Sequence, residues 1–248
     1  MSAAASTIDG APPARARFAL YYAPPRASVW WQAGCAWLGR DPETGDTPAP
    51  PQPAGLERPL AALTVAPRRY GWHATLVAPF YLAPGATPAA LLDAALGWAA
   101  ARRPFAVPAK AATIGRFVAV RPDDDAGEAA LRELASAALA ALAPLRAPPD
   151  AADLARRLDA PLTARQRELL MQWGYPYVFD EFRFHMTLSD SLDDARERDL
   201  LVDAWNARMQ PAGPLPVDGA AIYVEPEPGA PFALWRRVPF GAVGQGRS

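Results

Sequence analysis

The sequence predicts an α+β fold made of two similar, pseudo-symmetric lobes, in which antiparallel sheets flanked by helices enclose a central cleft. Three observations lead to this prediction. Strand and helix patterns alternate along the chain, the same order of elements occurs in both halves, and one short phrase containing histidine occurs once in each half. A duplicated layout of this kind indicates two lobes of one domain.

The first lobe begins with a strand and a capped helix. Residues 17–22 (RFALYY) are rich in aromatic residues and are soon followed by two prolines, which is typical of a strand and its end. Ser28 is a candidate N-cap for a helix to about Leu38, which Gly39 ends. Residues 41–55 are rich in proline and lack hydrophobic periodicity, so they predict a surface loop.

The first histidine lies in the next strand, and a helix follows it. Residues 70–82 have the composition of a strand and end at a Pro-Gly turn. Thr87 begins an amphipathic helix to Arg102, and residues 105–108 form a further strand. The helix has five candidate buried positions: Leu91, Leu92, Ala95, Leu96 and Trp98.

The second lobe repeats this order with a helical insertion. The predicted strands are residues 112–121, 178–189, 216–225 and 232–240. The helices are predicted from their N-terminal signals, which include two capping-box patterns. They run from Asp125 to about Leu145, within residues 147–160, from Thr163 to Trp173, and from Ser191 to about Met209.

One bilobed domain is predicted to cover residues 17–240, with the first lobe at about 17–110 and the second at about 111–240. We expect residues 1–16 to be disordered and residues 241–248 to form a flexible tail. No apolar run reaches transmembrane length, and the start lacks a signal-peptide core. The expectation is a soluble cytoplasmic protein that does not contact a membrane; its oligomeric state is left open.

Charge and composition restrict the classes of partner. The formal net charge of −1 provides no global field that would attract nucleic acid, although a local basic cleft is compatible with it. Lys110 is the single lysine, so nearly all positive charge is arginine. The lone Cys35 has no partner for an internal disulfide, and we expect it to be a small buried side chain.

The repeated phrase uses both histidines of the chain. His73 lies in GWHATLVAPF and His185 in EFRFHMTLSD, and each is followed by threonine at the second position and leucine at the third. Because strand side chains alternate between faces, His73 shares a face with Thr75, and His185 shares one with Thr187. Two such pairs in so histidine-poor a chain indicate one shared site.

Two imidazoles facing one cleft suit acid–base chemistry near neutral pH. One neutral histidine can remove a proton from an attacking hydroxyl or water, and the other, as imidazolium, can protonate a leaving oxygen. Threonine hydroxyls on the same face can donate hydrogen bonds to phosphate oxygens. This chemistry requires no metal or cofactor, and none is expected; the sequence does not say which histidine is the base.

Other side chains near the phrases are candidates for the same site. Arg183 precedes His185 on the predicted strand and is a candidate phosphate ligand, while Arg69, Tyr22 and Tyr70 are candidates for the substrate pocket. Each has a structural alternative, as an ion pair at a solvated rim or as aromatic packing.

A mixed metal site completed by Glu181 or Asp190 is retained as a weaker alternative, because two histidines supply half of a typical zinc ligand set. Motifs of three other enzyme classes do not occur in the sequence: the G-x-S-x-G elbow, the Walker A motif and a G-x-G-x-x-G after a strand.

Two H-x-T-h phrases on strands of two similar lobes resemble the 2H phosphoesterase superfamily, which includes RNA ligase-like (LigT) and cyclic nucleotide phosphodiesterase enzymes. The resemblance implies a LigT-like fold, His73 and His185 as the acid–base pair, and Thr75 and Thr187 as phosphate-binding hydroxyls. YYAPP, WLGRDPETG, RRYGWHATLVAPF and FRFHMTLSD are similar to a DUF1045-like branch of that superfamily, whose description as a phosphonate metabolism protein derives from gene neighbourhood.

The expected function is therefore a metal-independent phosphodiesterase, a hydrolase that cleaves a small cyclic phosphate or related phosphate ester in phosphonate metabolism. The substrate itself, and hydrolysis as opposed to transfer or ligation, stay open. A second hypothesis from another class is a non-catalytic module that binds a phosphorylated metabolite or an RNA end. We rank small phosphorylated metabolites above RNA, because the chain has no basic stripe to bind a phosphate backbone.

Overall fold

The computed structural model of the chain describes residues 10, 12–13, 15–149 and 151–241 and has a mixed α+β fold. Most of the predicted disordered start and of the predicted tail lies outside these residues. The helices are α1 Val29–Leu38, α2 Val65–Tyr70, α3 Pro88–Ala100, α4 Asp125–Leu142, α5 Ala151–Leu158, α6 Ala164–Trp173 and α7 Ala195–Met209. The strands are β1 Arg17–Tyr22, β2 Ala74–Phe80, β3 Phe105–Val107, β4 Ala109–Ile114, β5 Phe117–Pro122, β6 Met186–Thr187, β7 Leu215–Val217, β8 Gly219–Glu225 and β9 Ala233–Pro239.

A large antiparallel sheet is the centre of the fold. Its seven strands lie in the order β4-β5-β6-β2-β1-β8-β9, and β3 and β7 pair separately. The strands that follow the two histidines, β2 and β6, are neighbours in the middle of this sheet. Their pairing satisfies backbone groups that would otherwise form two open sheet edges.

Strands from both predicted lobes lie in this one sheet, whereas separate sheets were expected. β1, from the first half of the chain, pairs with β8 from the second, and β3 pairs with β7. The expected boundary near residue 110 therefore does not divide the strands into two groups. Pairing between segments far apart in the sequence depends on tertiary packing, which the local pattern does not encode.

Several predicted element ends are confirmed by cap geometry. The Ser28 hydroxyl accepts a hydrogen bond from the Trp31 amide, and Gly39 ends α1 with a φ of 69°. Thr163 and Gln166 form the predicted capping box at the start of α6. Short polar side chains at these positions satisfy amides that have no partner within the helix, which explains why the sequence signals were informative.

Other boundaries differ from the prediction. The strand expected at residues 112–121 is part of the β4–β5 hairpin, because Gly115 turns the chain with a φ of 57°. Asp124 rather than Asp125 caps α4, and Asp194 rather than Ser191 caps α7. In α3, Leu91, Ala95 and Trp98 are buried as expected, but Leu96 is 38% exposed.

The segments around the histidines also differ. Tyr70 is the last residue of α2, although a strand was expected to begin there. The strand expected at residues 178–189 is reduced to β6, and Phe179–Glu181 form a 3-10 turn in which Phe179 has a φ of 52°. In the second phrase only Met186 and Thr187 are in a strand. The alternation of side chains between two faces therefore does not apply to the residues before His185.

A tryptophan cluster supports the histidine strands from the side away from the histidines. Trp72, the residue before His73, is fully buried with its ring 5.1 Å from that of Trp205. Trp37 packs on the same ring at 5.3 Å and donates its indole N–H to the Leu188 carbonyl at 2.9 Å. These contacts join α1 and α7 to the segments that carry both phrases. Within the described residues, no helix is both long and apolar enough to cross a bilayer.

Candidate active site

The two H-x-T phrases meet across the β2–β6 pair. Ala74 pairs directly with Met186, and both are fully buried. In an antiparallel pair the flanking residues fall opposite one another, at Cα separations on the order of 5 Å, so Thr75 lies across from His185 and His73 from Thr187. All four side chains line one cavity of about 1040 Å³. Each histidine therefore has the other phrase's threonine as its cross-strand neighbour.

Both imidazoles are held by the same backbone contact. His73 Nδ1 lies 2.8 Å from the Gly71 carbonyl oxygen, and His185 Nδ1 lies 2.9 Å from the Arg183 carbonyl oxygen, in each case two residues earlier. A carbonyl only accepts, so Nδ1 carries the proton and Nε2 of the neutral ring is a free acceptor. In both phrases this leaves Nε2 available for proton transfer.

The turn before His73 depends on glycine. Gly71 ends α2 with a φ of 77°, and a Cβ there would lie 2.6 Å from side-chain atoms of Pro42. Such a φ is favourable only for glycine. The turn brings the Gly71 carbonyl to His73 and starts β2 immediately afterwards.

His73 lies in a desolvated aromatic environment. Its ring stacks on Tyr21, with centroids 4.0 Å apart and an interplanar angle of 28°, and Tyr70 and Tyr223 lie at 6.0 and 6.1 Å. The pKa of His73 is lowered from 6.5 to about 4, chiefly because the ring is buried; the Gly71 carbonyl partly opposes the shift, and the nearby His185 contributes to it. His73 is therefore neutral at physiological pH. His185 has Phe117 as its nearest ring, at 5.8 Å.

Of the predicted pocket residues, Tyr70 and Arg69 line the cavity and Tyr22 does not. Tyr22 is fully buried and donates its hydroxyl to the Pro216 carbonyl at 2.6 Å. The cavity tyrosine of β1 is its neighbour Tyr21, which pairs with Thr75 and so shares a face with it. The sequence could not distinguish the two, because that requires the register between β1 and β2.

Arg183, the predicted phosphate ligand, does not line the cavity. Its side chain is exposed and donates to the carbonyls of Asp180 and Phe182, at 2.9 and 2.8 Å. The prediction assumed strand alternation from Arg183 to His185. Since this segment is not a strand, that assumption fails.

Four cavity arginines were not identified from the sequence. Arg17, Arg146, Arg156 and Arg157 line the cavity together with Arg69. They come from β1, the segment after α4, and α5, and neither spacing nor a shared motif links them to the phrases. The cavity is thus a local basic region in a chain whose net charge is −1.

A smaller recess of about 570 Å³ adjoins His73, and His185 does not line it. It shares His73, Tyr70 and Thr187 with the main cavity and adds Phe117 and residues near the start of α2. Among the residues that the structure describes, no three His, Cys, Asp or Glu side chains cluster so as to hold a metal ion. The polar side chains that line the main cavity are imidazoles, hydroxyls, guanidinium groups and the carboxylate of Asp153.

A family model described as "Protein of unknown function (DUF1045)" matches residues 75–233. A protein of Laribacter hongkongensis (strain HLHK9) named "Ribose 1,5-bisphosphate phosphokinase PhnN" is 43% identical over 226 residues, which are 90% of this chain and 51% of that protein. A protein of the same name from Janthinobacterium sp. (strain Marseille) is 39% identical over 240 residues, covering 92% of this chain and 52% of the relative. The chain spans about half the length of these relatives.

Proposed function

The chain belongs to the DUF1045 family of proteins of unknown function, and from the geometry of its cavity we propose that it is a metal-independent phosphodiesterase that cleaves a small cyclic phosphate. The observation that carries the proposal is the adjacency of two H-x-T phrases, each with its histidine Nδ1 bound to a carbonyl. Two free Nε2 atoms beside two threonine hydroxyls are what acid–base displacement at phosphorus requires.

In the proposed reaction, water attacks the phosphorus of the cyclic diester. One imidazole Nε2 takes a proton from the water as the new P–O bond forms, and the other imidazolium gives a proton to the ring oxygen as its P–O bond breaks. Thr75 and Thr187 donate hydrogen bonds to the non-bridging oxygens, where negative charge increases in the transition state. The product is a phosphomonoester with a free hydroxyl.

We assign the role of base to His73 and that of acid to His185. His73 is already neutral at physiological pH, because burial lowers its pKa to about 4, and a base must be unprotonated before it acts. A bound phosphate adds negative charge beside the ring and so raises that pKa toward the working pH. Substrate binding would thereby make His73 a stronger base.

We further propose that the fold is the pseudo-symmetric one of the 2H phosphoesterases. The equivalent Nδ1 contacts in the two phrases and the central position of β2 and β6 support it. The shared sheet is compatible with a pseudo-symmetry between the two phrases and their immediate surroundings.

The relatives' name contains a ribose bisphosphate, which supports a ribosyl phosphate as the substrate class; a role in phosphonate metabolism is part of the same proposal. The phosphokinase activity in that name is not carried over to this chain. Its sequence contains no G-x-x-x-x-G-K-[ST] motif, and its only lysine, Lys110, is not in a glycine-rich phrase. A cyclic ribosyl phosphate fits the two-histidine site, and the location that we propose for the protein is the cytoplasm.

The test uses EDTA-treated protein with ribose cyclic phosphates, 2′,3′-cyclic nucleotides and 2′,5′-linked dinucleotides, followed by phosphorus NMR. We expect turnover of a cyclic phosphate, with a loss of about 10²- to 10⁴-fold in each of His73→Ala and His185→Ala. Arg183→Ala is the matched control, because Arg183 is exposed and outside the cavity. Full activity in either histidine variant contradicts the assignment.

Two other outcomes would identify the alternatives. Binding of a phosphorylated ligand without turnover of any compound favours the non-catalytic module. Turnover that EDTA abolishes and a divalent metal restores favours a metal-dependent site.

A further inference from the structure

The arginines around the cavity are not neutralised equally. Arg17 and Arg69 share one carboxylate, the buried Glu225, and Arg156 and Arg157 share another, Asp153. The fifth arginine, Arg146, has no carboxylate partner among the described residues. Counted over the described residues, these five guanidinium groups and two carboxylates carry a net charge of +3.

Arg146 is the least compensated of these charges. It donates from Nη2 to the Trp173 carbonyl at 2.8 Å, while its buried Nε has no hydrogen-bond partner in the part of the chain that the structure describes. Its guanidinium lies 5.5 Å from the centroid of the Phe80 ring. Burial lowers its pKa from the ordinary value, and no carboxylate of the described residues opposes this shift. A desolvated cation facing a cavity is stabilised when an anion enters.

The backbone around Arg146 is fixed before any ligand binds. Arg146 forms a β-bridge with Leu82, and the Ala147 amide donates to the Tyr81 carbonyl at 2.8 Å. Arg157 is held as well, by Asp153 at 3.0 Å and by packing 5.4 Å from the Tyr175 ring centroid. The side chains are therefore held close to their positions before an anion arrives.

This basic group lies toward the opposite end of the cavity from the threonines. Phe80 ends β2, and at about 3.3 Å per residue its Cα is on the order of 16 Å from that of Thr75. The cavity extends between them along β2. An anion beside Arg146 is therefore distinct from the phosphate held between the two H-x-T phrases.

We propose that Arg146, Arg156 and Arg157 form a second anion subsite, which binds a phosphomonoester carried by the same ligand whose cyclic diester lies at the histidine pair. The second half of this statement rests on the proposed function. A phosphomonoester has a charge of about −1.5 to −2 near pH 7, and a cyclic diester adds one negative charge. Together they balance the +3 of the cavity.

The first test measures binding alone, by calorimetry with ribose 5-phosphate, ribose and inorganic phosphate. We expect ribose 5-phosphate to bind and ribose not to bind. Arg146→Met should weaken that binding by about 10- to 100-fold, the loss expected for one charged hydrogen-bonding group. Methionine keeps the apolar stem over Phe80, and Arg183→Met is the matched control outside the cavity. Unchanged affinity in Arg146→Met overturns the subsite.

Arg156→Glu provides a second variant whose folding is not in question, because its side chain is 73% exposed. It should weaken ribose 5-phosphate binding by at least as much as Arg146→Met, since it reverses a charge. Unchanged binding in this variant counts against the subsite in the same way.

The second test compares kcat/KM for a ribosyl cyclic phosphate with and without a 5-phosphate. A preference of 10-fold or more for the phosphorylated compound, lost in Arg146→Met, supports the proposal. Equal turnover of both compounds overturns the subsite and leaves the phosphodiesterase intact. Binding of ribose 5-phosphate that depends on Arg146, with no turnover of either compound, overturns the phosphodiesterase and leaves the subsite intact.

Discussion

The imidazole of His73 stacks on the ring of Tyr21 at a centroid distance of 4.0 Å. Tyr21 is paired with Thr75 in the neighbouring strand, so it is part of the floor of the cavity and supports the proposed base directly. The stack on Tyr21 fixes the plane of the imidazole, and the hydrogen bond from Nδ1 to the Gly71 carbonyl fixes the rotation of the ring within that plane. Together these two contacts leave Nε2 as the free position.

We expect Tyr21→Leu to lower kcat by about 2- to 10-fold, because an aromatic pair is worth about 0.5–1.5 kcal/mol beyond its buried area. Tyr21→Phe keeps the ring and should retain nearly full activity. The matched control is Tyr22→Phe, which removes a hydroxyl bound to the Pro216 carbonyl outside the cavity. It should lower the free energy of unfolding by about 1–3 kcal/mol without changing kcat. Equal kcat in Tyr21→Leu and wild type would contradict the stacking role.

The titration of His73 can be followed by NMR, because only two imidazoles contribute to the spectrum. We expect the pKa of His73 to be about 4 in the free protein and to rise when inorganic phosphate binds, because the anion favours the imidazolium. His185→Gln identifies the resonance of His73. The acid limb of kcat/KM, which reports the free protein, should fall near pH 4. A His73 pKa near 6.5 would exclude the proposed desolvation.

The same shift predicts a pH dependence of stability. Between pH 6.5 and about 4 the unfolded chain binds a proton at His73 and the folded chain does not, so the free energy of unfolding falls as the pH falls through this window. The loss should reach roughly 2–3 kcal/mol near pH 4. Urea denaturation of wild type and His73→Phe at several pH values measures the part of this loss that is due to His73. The carboxylates are the same in both proteins, so their contribution cancels in the comparison. Parallel curves for the two proteins would argue against the shift.

Glu225→Gln should have opposite effects on stability and on anion binding. It removes the carboxylate shared by Arg17 and Arg69, which we expect to cost about 1–3 kcal/mol, since both arginines are partly hydrated. The positive charge of the cavity rises by one, so phosphate should bind more tightly. The gain in affinity should be smaller at high salt, because salt screens the added charge. Denaturation and calorimetry measure the two effects.

Glu43→Gln is the control for that experiment. Glu43 pairs with Arg237 at 2.9 Å, and neither residue lines the cavity. We expect a loss of stability with no change in phosphate affinity. If Glu225→Gln bound phosphate more weakly than wild type, the charge argument would be refuted.

Gly34 controls the position of His73 through Trp72. A Cβ on Gly34 would lie 2.2 Å from the Trp72 ring, and Trp72 precedes His73 in the chain. Gly34→Ala should therefore displace the tryptophan, destabilise the protein by about 1–3 kcal/mol and reduce kcat. Gly97→Ala is the matched control in α3, where nothing lies within 4 Å of the added carbon. It should increase stability by about 0.5–1 kcal/mol and leave kcat unchanged, as thermal melts and rates can show.

The sequence by itself determined the features that depend on near neighbours. Ser28, Gly39 and the Thr163–Gln166 box set helix ends, because their hydrogen bonds and backbone angles involve residues only a few positions away. The repeated phrase identified the four side chains that line one cavity, because its two copies can be compared with each other within a single sequence.

Tertiary structure decided which residues surround that motif. Tyr21 rather than Tyr22 faces the cavity because the register of β1 against β2 sets the face, and no local signal encodes register. Arg183 does not line the cavity, because its segment is not a strand. Arg146 and Arg157, which come from the chain after α4, do line it. Long-range packing brings such side chains together, so charges far apart in the sequence form a basic cavity in a chain whose net charge is −1.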